Sequence, residues 1–318
     1  MGNGASKSRS VQLHDNNAQN TAKEEFIEDT TQRIVLITGC SSGIGLSLAA
    51  LLANDQQKRF KVYATMRNLG KKEALEEAGK DVLGERLIVK ELDVCSDESV
   101  TSVVQEIIQN EQRLDILVNN AGMGLFCVAE CVDIDKVKMV FETNVFGLIR
   151  VTNSVVPHMK AQKSGHIVNI SSVYGLLGLP FGEYYCSSKF AIEGYAESLA
   201  AVLHKFNVKT TMIEPGPVVT NFAVNSKALR EEVDISSTDD KTKSLLKETL
   251  QDYYRTITTL NQTAADIAEL VKKVLLLKNP QFRYQPNDKY RQKELASKLS
   301  DRTGNAIMGL FSKSFASC

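Results

Sequence analysis

From Arg33 onward, short β-branched runs alternate with longer amphipathic stretches, and few folds can use that rhythm. The runs Ile34–Ile37, Lys61–Thr65, Arg86–Leu92, Asp115–Val118, His166–Ile170 and Val208–Ile213 predict strands. Between them, Leu46–Asn54, Ser96–Asn110, Asp135–Lys160 and Tyr185–Phe206 carry helical spacing. Such alternation requires right-handed crossovers and a parallel sheet covered on both faces. The expected fold class is therefore α/β, one doubly wound domain over residues 33–285 with no internal repeat and no dividing linker. At 318 residues, 43% apolar and 24% charged, the chain can bury the core this needs. Residues 1–32 are polar and show neither period, which predicts a disordered lead. After Pro215-Gly216-Pro217 the rhythm breaks, and polar, helix-prone residues 218–260 read as a helical flap over a site. A helix over Ala264–Leu277, a short strand near Phe282–Tyr284 and a tail over 286–318 are expected to follow.

Charge and cysteine content exclude several functions. Lysine plus arginine (38) equals aspartate plus glutamate (38), so no general electrostatic footprint for nucleic acid exists. No apolar run reaches the roughly 18 residues of a spanning helix, and the N-terminus has no apolar signal core. The six cysteines are scattered; Cys127 and Cys131 lack a second pair or a nearby histidine, and only four histidines occur, so no metal site is expected. Reduced thiols facing the cytosol are the expected state.

The first strand runs into Thr38-Gly39-Cys40-Ser41-Ser42-Gly43-Ile44-Gly45 and then a helix. Glycines there permit a tight turn and close approach to a pyrophosphate, while a helix N-terminus offers free amides and a positive dipole end. Thr38, Gly39, Ser41, Ser42, Gly43, Ile44 and Gly45 are the expected contacts. The second strand ends in Arg67 with no acid beside it; an arginine pairs with a 2′-phosphate, so NADP(H) is expected over NAD(H). Asp93 and Val94 after the third strand are placed for the adenine amino group, and Asn120-Ala121-Gly122 after the fourth for the ribose.

Tyr185 and Lys189 stand four apart, which puts phenol and ammonium on one helix face. A phenol with its ordinary pKa of about 10 becomes an acid–base catalyst when a nearby cation favours its phenolate. Tyr184 has only Ser188 four residues on. Ser172, thirteen residues before Tyr185, ends the fifth strand and can bond a substrate oxygen; Ser171 competes, but the register that selects Tyr185 selects Ser172. Asn144 inside a long helix is a poor helix former unless it bonds something, such as a water feeding the lysine.

With TGCSSGIG, NNAG, SSVYGLLGLPFGEYYCSSKFAIEG and IEPGPV in this order, the chain resembles the short-chain dehydrogenases/reductases over residues 33–285. The likeness is strongest to the subgroup holding retinol and 17β-hydroxysteroid dehydrogenases. It implies a Rossmann-type fold, hydride exchange between nicotinamide and a carbinol or carbonyl carbon, and roles for four residues. By this resemblance Tyr185 is the general acid/base, Ser172 polarises the carbonyl, Lys189 binds the nicotinamide ribose and lowers the tyrosine pKa, and Asn144 completes a proton relay. The resemblance adds Pro215, Gly216, Val218 and Thr220 to the cofactor contacts, Thr220 at the nicotinamide carboxamide. It also implies a homodimer through the helices Asp135–Lys160 and Tyr185–Phe206. A non-catalytic dinucleotide sensor on the same fold would be expected to lack the tyrosine or lysine, and both are present.

Val173, Leu176, Leu177, Leu179, Pro180 and Phe181 precede the tyrosine, and Phe222 opens the flap, so the expected substrate is small and apolar. Leu179 and Phe222, with Ser172 and Tyr185, are the expected substrate contacts. All-trans-retinal is the leading substrate and a 17-ketosteroid such as estrone the alternative. The resembled steroid enzymes hold the remote hydroxyl with a flap histidine, and this chain has none after His204. Pro215 likewise stands where those enzymes have a cysteine. Met1-Gly2-Asn3-Gly4-Ala5-Ser6 matches the myristoylation pattern at Gly2. A single acyl chain needs a second signal, which the apolar residues of Ala306–Phe311 or an acylated Cys318 could supply beside a tail carrying seven Lys/Arg against three Asp/Glu beyond Gln281. Peripheral attachment to a cytosolic membrane face is one expectation, and a tail packed on its own core the other.

Overall fold

The computed structural model describes residues 24–287 and 290–314. Its first half is β1 (Arg33–Ile37), α1 (Gly43–Ala53), β2 (Phe60–Met66), α2 (Glu73–Ala78), β3 (Leu87–Glu91), α3 (Asp97–Glu111) and β4 (Ile116–Asn119). The second half is α4 (Ile134–Phe141), α5 (Gly147–Gln162), β5 (Gly165–Ile170), α6 (Glu183–Leu203) and β6 (Val208–Ile213). Then come α7 (Asn221–Glu231), α8 (Asp240–Leu260), α9 (Ala264–Leu276), β7 (Arg283–Tyr284), α10 (Gln292–Ser300) and α11 (Asn305–Ser314). The strands form one parallel sheet in the order β3-β2-β1-β4-β5-β6-β7.

Side chains alternate across each strand, so both faces of β1 are apolar for different reasons. Val35 and Ile37 pack with Leu48 and Leu52 of α1 and with Ile267, Val271 and Val274 of α9. Ile34 and Leu36 face the other way, onto Val100, Val104 and Ile107 of α3 and Val151, Val155 and Met159 of α5. Because β1 is flanked by β2 on one side and β4 on the other, strand order reverses there. A crevice opens beyond the strand ends at such a reversal.

Three features depart from expectation. The helix expected over Asp135–Lys160 is interrupted by a π turn at Glu142–Phe146 that carries Asn144. Short α2 falls between strands where no helix was expected. Residues 24–32 are not wholly structureless: Phe26 bridges Leu277, Ile27 N donates to Leu276 O at 2.8 Å and Lys278 N to Glu25 O at 2.8 Å. That pairing satisfies backbone groups at the end of α9. Of the two expectations for the tail, its described part follows the packed one in part: it folds as α10 and α11, with Leu295 buried and Ile307 packed against one hydrophobic cluster, while Leu299 (85% exposed) and Met308 (62%) face out. Gly2 and Cys318 lie outside the described residues. No described helix is long and apolar enough to cross a membrane.

The short edge strand β7 is held by charge. Arg283 pairs with Glu193, with Glu214 at 2.6 Å and with Glu197 at 2.9 Å, and the Glu193 and Glu214 carboxylates are buried. Removing one partner of such a group leaves uncompensated buried charge. Arg283→Met is expected to lower unfolding free energy by about 3–5 kcal/mol near neutral pH, measured by urea denaturation. The loss should shrink toward acid pH, where Glu193, whose carboxyl burial already pushes up, takes a proton.

Candidate active site

The turn after β1 is tied to the loop after β4. Thr38 Oγ1 accepts the backbone N–H of Asn120 and of Ala121, each at 3.1 Å. The Asn120 carboxamide donates to Thr38 O (2.9 Å) and Gly39 O (3.0 Å). Gly39 (φ 75) and Gly43 (φ 61) take left-handed backbone, which glycine adopts without strain. Ser42 caps α1 with its backbone only, its hydroxyl makes no cap bond, and the first turn has no acid. The first-turn amides and the positive helix end are thus available to an anion. A Cβ on Gly45 would sit 2.4 Å from Asn120 Nδ2, so the close packing of turn and loop requires glycine there. These residues fit a dinucleotide pyrophosphate.

One cavity of about 610 Å³ runs from this turn to the flap. Gly39, Ser41, Ser42, Gly43 and Ile44 line it at the turn. Arg67, Asp93 and Val94 line it beyond the ends of β2 and β3, with Asn120, Ala121 and Gly122 after β4. Pro215, Gly216, Val218 and Thr220 line it after β6. Thr38 and Gly45 do not reach the lining; they build the turn from behind. Lys71 also lines the cavity, a residue that sequence reasoning passed over. Neither Arg67 nor Lys71 has an ion-pair partner among the described residues, so two cations stand uncompensated.

Tyr185, Lys189 and Ser172 meet in the same cavity, all three largely buried. Lys189 Nζ donates to Ile170 O at 3.0 Å and lies 5.8 Å from the centroid of the Tyr185 ring. Burial brings the Lys189 ammonium down to about 8, a fall that Glu193 opposes. Burial pushes the Tyr185 phenol above its ordinary range, and the neighbouring Ser172 hydroxyl works in the opposite direction. Desolvation thus outweighs the stabilisation of the phenolate expected from the lysine.

Asn144 does not line the cavity. Its Nδ2 donates to Met123 O (2.9 Å) and Ser188 Oγ (3.0 Å), and its Oδ1 accepts Met123 N–H (2.8 Å). Both side-chain donors therefore tie the loop after β4 to α6, rather than remaining free to bond a water. The π turn sets this reach. A Cβ on Gly122 would lie 3.4 Å from Asn144 Oδ1 and 3.8 Å from Lys189 Nζ, so these two polar atoms border the small space that Gly122 leaves open.

The apolar wall differs from the expected one. Phe222 lines the cavity, but Val173, Leu176, Leu177, Leu179, Pro180 and Phe181 do not. A 3₁₀ turn at Val173–Gly175 sends Val173 and Leu177 into a buried cluster, against which Leu179 packs. Their places on the wall are taken by Phe126 and Tyr253. Phe126 lies 5.3 Å from the Tyr185 ring and 5.6 Å from Tyr253, centroid to centroid, and Phe222 lies 5.5 Å from Tyr185. Nothing in the local sequence marks Phe126 or Tyr253; both reach the site through tertiary packing. Among the described residues, no group of three or more His, Cys, Asp or Glu side chains is placed to hold a metal ion.

A glycine turn at the strand reversal, opening beside tyrosine and lysine on one helix, defines a dinucleotide-type α/β oxidoreductase site. A family model described as short chain dehydrogenase matches residues 33–231. Human retinol dehydrogenase 8 is 45% identical over 259 residues, covering 81% of this chain and 82% of that one. Human 17-beta-hydroxysteroid dehydrogenase type 1 is 38% identical over 274 residues, covering 86% and 82%. A solved short chain dehydrogenase/reductase from Burkholderia phymatum, in complex with NAD, superposes with a TM-score of 0.72 at 22% identity, covering 89% of this chain and 97% of its own. The chain belongs to the short-chain dehydrogenase family and is an oxidoreductase.

Gly45→Ala is expected to weaken dinucleotide binding by at least about tenfold, because its methyl would displace Asn120 and the Gly39 carbonyl. Titration of NADPH fluorescence against the variant checks this.

Proposed function

We propose that this protein reduces an apolar carbonyl with NADPH, all-trans-retinal first and a 17-ketosteroid such as estrone second. The observation that carries the reading is a single cavity joining an uncompensated Arg67–Lys71 pair at one end to Tyr185, Phe126, Phe222 and Tyr253 at the other. Cations there match a 2′-phosphate, and no carboxylate stands beside Arg67 to hold a free ribose hydroxyl. The likeness to retinol dehydrogenase 8 and the absence of a flap histidine after His204 favour the retinoid.

When bound, the dinucleotide supplies the hydride. Ser172 Oγ donates a hydrogen bond to the carbonyl oxygen, and Tyr185 gives that oxygen its proton. Lys189, anchored on Ile170 O, orients the nicotinamide ribose and places positive charge beside the phenolate that remains. Asn144 holds the Met123 backbone and Ser188, fixing loop and helix about the lysine. Phe126, Phe222 and Tyr253 exclude water from the reacting carbon. We further read the chain as a homodimer through α5 and α6, near which Phe146 and Val202 are 52% and 53% exposed. Peripheral attachment to a cytosolic membrane face, with an acyl chain on Gly2, completes the reading.

NADPH oxidation by the purified protein, run with all-trans-retinal and with estrone, tests the assignment. Retinal should turn over faster, NADH should be the poorer donor, and Tyr185→Phe should lose about 10²–10⁴-fold. Estrone turnover alone would overturn the retinoid reading. Reduction should also slow as pH rises through about 8, because Lys189 is charged below that value and neutral above it. Alcohol oxidation, which releases a proton, should not show this fall; paired pH profiles of the two directions check it.

A further inference from the structure

Tyr185, Lys189 and Glu193 follow one another at four-residue steps on α6 and so share a face of that helix. The first two line the cavity; Glu193 does not. Its carboxylate is buried and pairs with Arg283. The same guanidinium also holds the fully buried Glu214 at 2.6 Å and the exposed Glu197 at 2.9 Å. Gln285 Nε2 donates to the second oxygen of Glu214 at 3.0 Å. Three carboxylates thus share one arginine. Negative charge is left over in a dry region, where it costs heavily unless another cation is near.

Two details locate that excess. Glu193 Oε1 and Ser171 Oγ are both buried without a hydrogen-bond partner. They are neighbours: a Cβ on Gly175 would sit 3.1 Å from the first and 2.9 Å from the second. One oxygen of Glu193 is therefore held by arginine, while the other has only the Ser171 hydroxyl beside it, near the end of β5, whose Ile170 carbonyl accepts from the Lys189 ammonium. The charged and titratable groups around Glu193 are Lys189 and Glu197 on its own helix, Glu214 after β6 and Arg283 on β7. Around Lys189 they are Glu193 and Tyr185.

We infer that Glu193 is a positioning residue that keeps the Lys189 ammonium charged from the side away from the cavity, and that Arg283 keeps Glu193 ionised for this role. A buried lysine loses its proton readily. A carboxylate one turn further along the same face offsets that loss without occupying substrate space. Just beyond β5, Ser171 then stands beside Glu193 while Ser172 serves the reacting carbonyl, both bordering the cavity. The inference rests on reading Tyr185 and Lys189 as the reacting pair.

The test is an NMR titration of the Lys189 side chain in the dinucleotide-free protein, with unfolding followed in parallel. Wild type is compared with Glu193→Gln, Glu193→Asp and Glu197→Gln. Glu193→Gln should move the Lys189 midpoint to lower pH by about one unit. Glu193→Asp should fall between it and wild type, and Glu197→Gln should leave the midpoint in place. The alkaline limb of kcat/KM for carbonyl reduction should move with the NMR midpoint. A Lys189 midpoint unchanged in Glu193→Gln or Glu193→Asp, even with lowered stability, would overturn the inference and leave Glu193 a structural partner of Arg283. A shifted midpoint with turnover indifferent to Tyr185→Phe would sustain the coupling and overturn the reading of the reacting pair instead.

Discussion

Everything at the functional end of this molecule depends on how the β1 turn is fastened to the β4 loop. Where strand order reverses, neighbouring chains leave in opposite directions, and beyond the Thr38 N to Val118 O bond at 3.1 Å the β1 turn and β4 loop are joined through side chains. Thr38 and Asn120 provide the substitute, four hydrogen bonds that spend side chains on backbone groups. Their closeness is possible because Gly39 and Gly45 have no Cβ. The same absence exposes the first-turn amides of α1. Thr38 and Asn120 thus form an anion site chiefly by shaping it, and Thr38 never reaches the cavity.

Desolvation dominates the reacting end. Tyr185 and Lys189 are buried, and each is driven toward its neutral form. At Lys189 two arrangements act against that drift: the Ile170 carbonyl accepts a hydrogen bond from the ammonium, and Glu193 supplies negative potential one turn along the helix. The π turn belongs to the same scheme. It adds the reach that lets Asn144 bond Met123 and Ser188 together, fixing α6 against the loop that forms the cavity floor.

Much of this was legible in the sequence because it is local. Strand alternation, the glycine turn and the four-residue step from Tyr185 to Lys189 each depend on neighbours in the chain, and the six main strands fall where the apolar runs place them. What was not legible depends on partners far away. The pairing of Phe26 with Leu277 needs the end of α9. The weak helix formers of the ETNVF stretch do not by themselves distinguish a π turn from continuous helix. The apolar run from Val173 to Phe181 resembles a pocket wall, yet a 3₁₀ turn directs part of it behind that wall, into the cluster that also holds Phe126 and Tyr185. Phe126 comes from an apolar loop, Met123–Ala129, and Tyr253 from the polar flap, and only the fold brings the two together at the cavity.

That last pair separates the molecule into two halves with different constraints. The dinucleotide half is built from strand ends, where a shift of one residue would disturb the sheet itself. The apolar half combines the loop after β4, which carries Phe126, with α7 and α8, which meet the sheet domain through the Val219–Thr263 bridge and through Thr220, whose hydroxyl caps α7 by accepting Phe222 N–H while its side chain lies against Gly43. Side chains such as Tyr253 can therefore change what the cavity accepts without touching the Thr38–Asn120 clamp or the Tyr185–Lys189 step. Relatives with retinoid and steroid names resemble this chain along most of its length. Such likeness follows when the glycine turn, the strand ends and the Tyr185–Lys189 step of α6 are shared, whatever the rest of the cavity wall accepts.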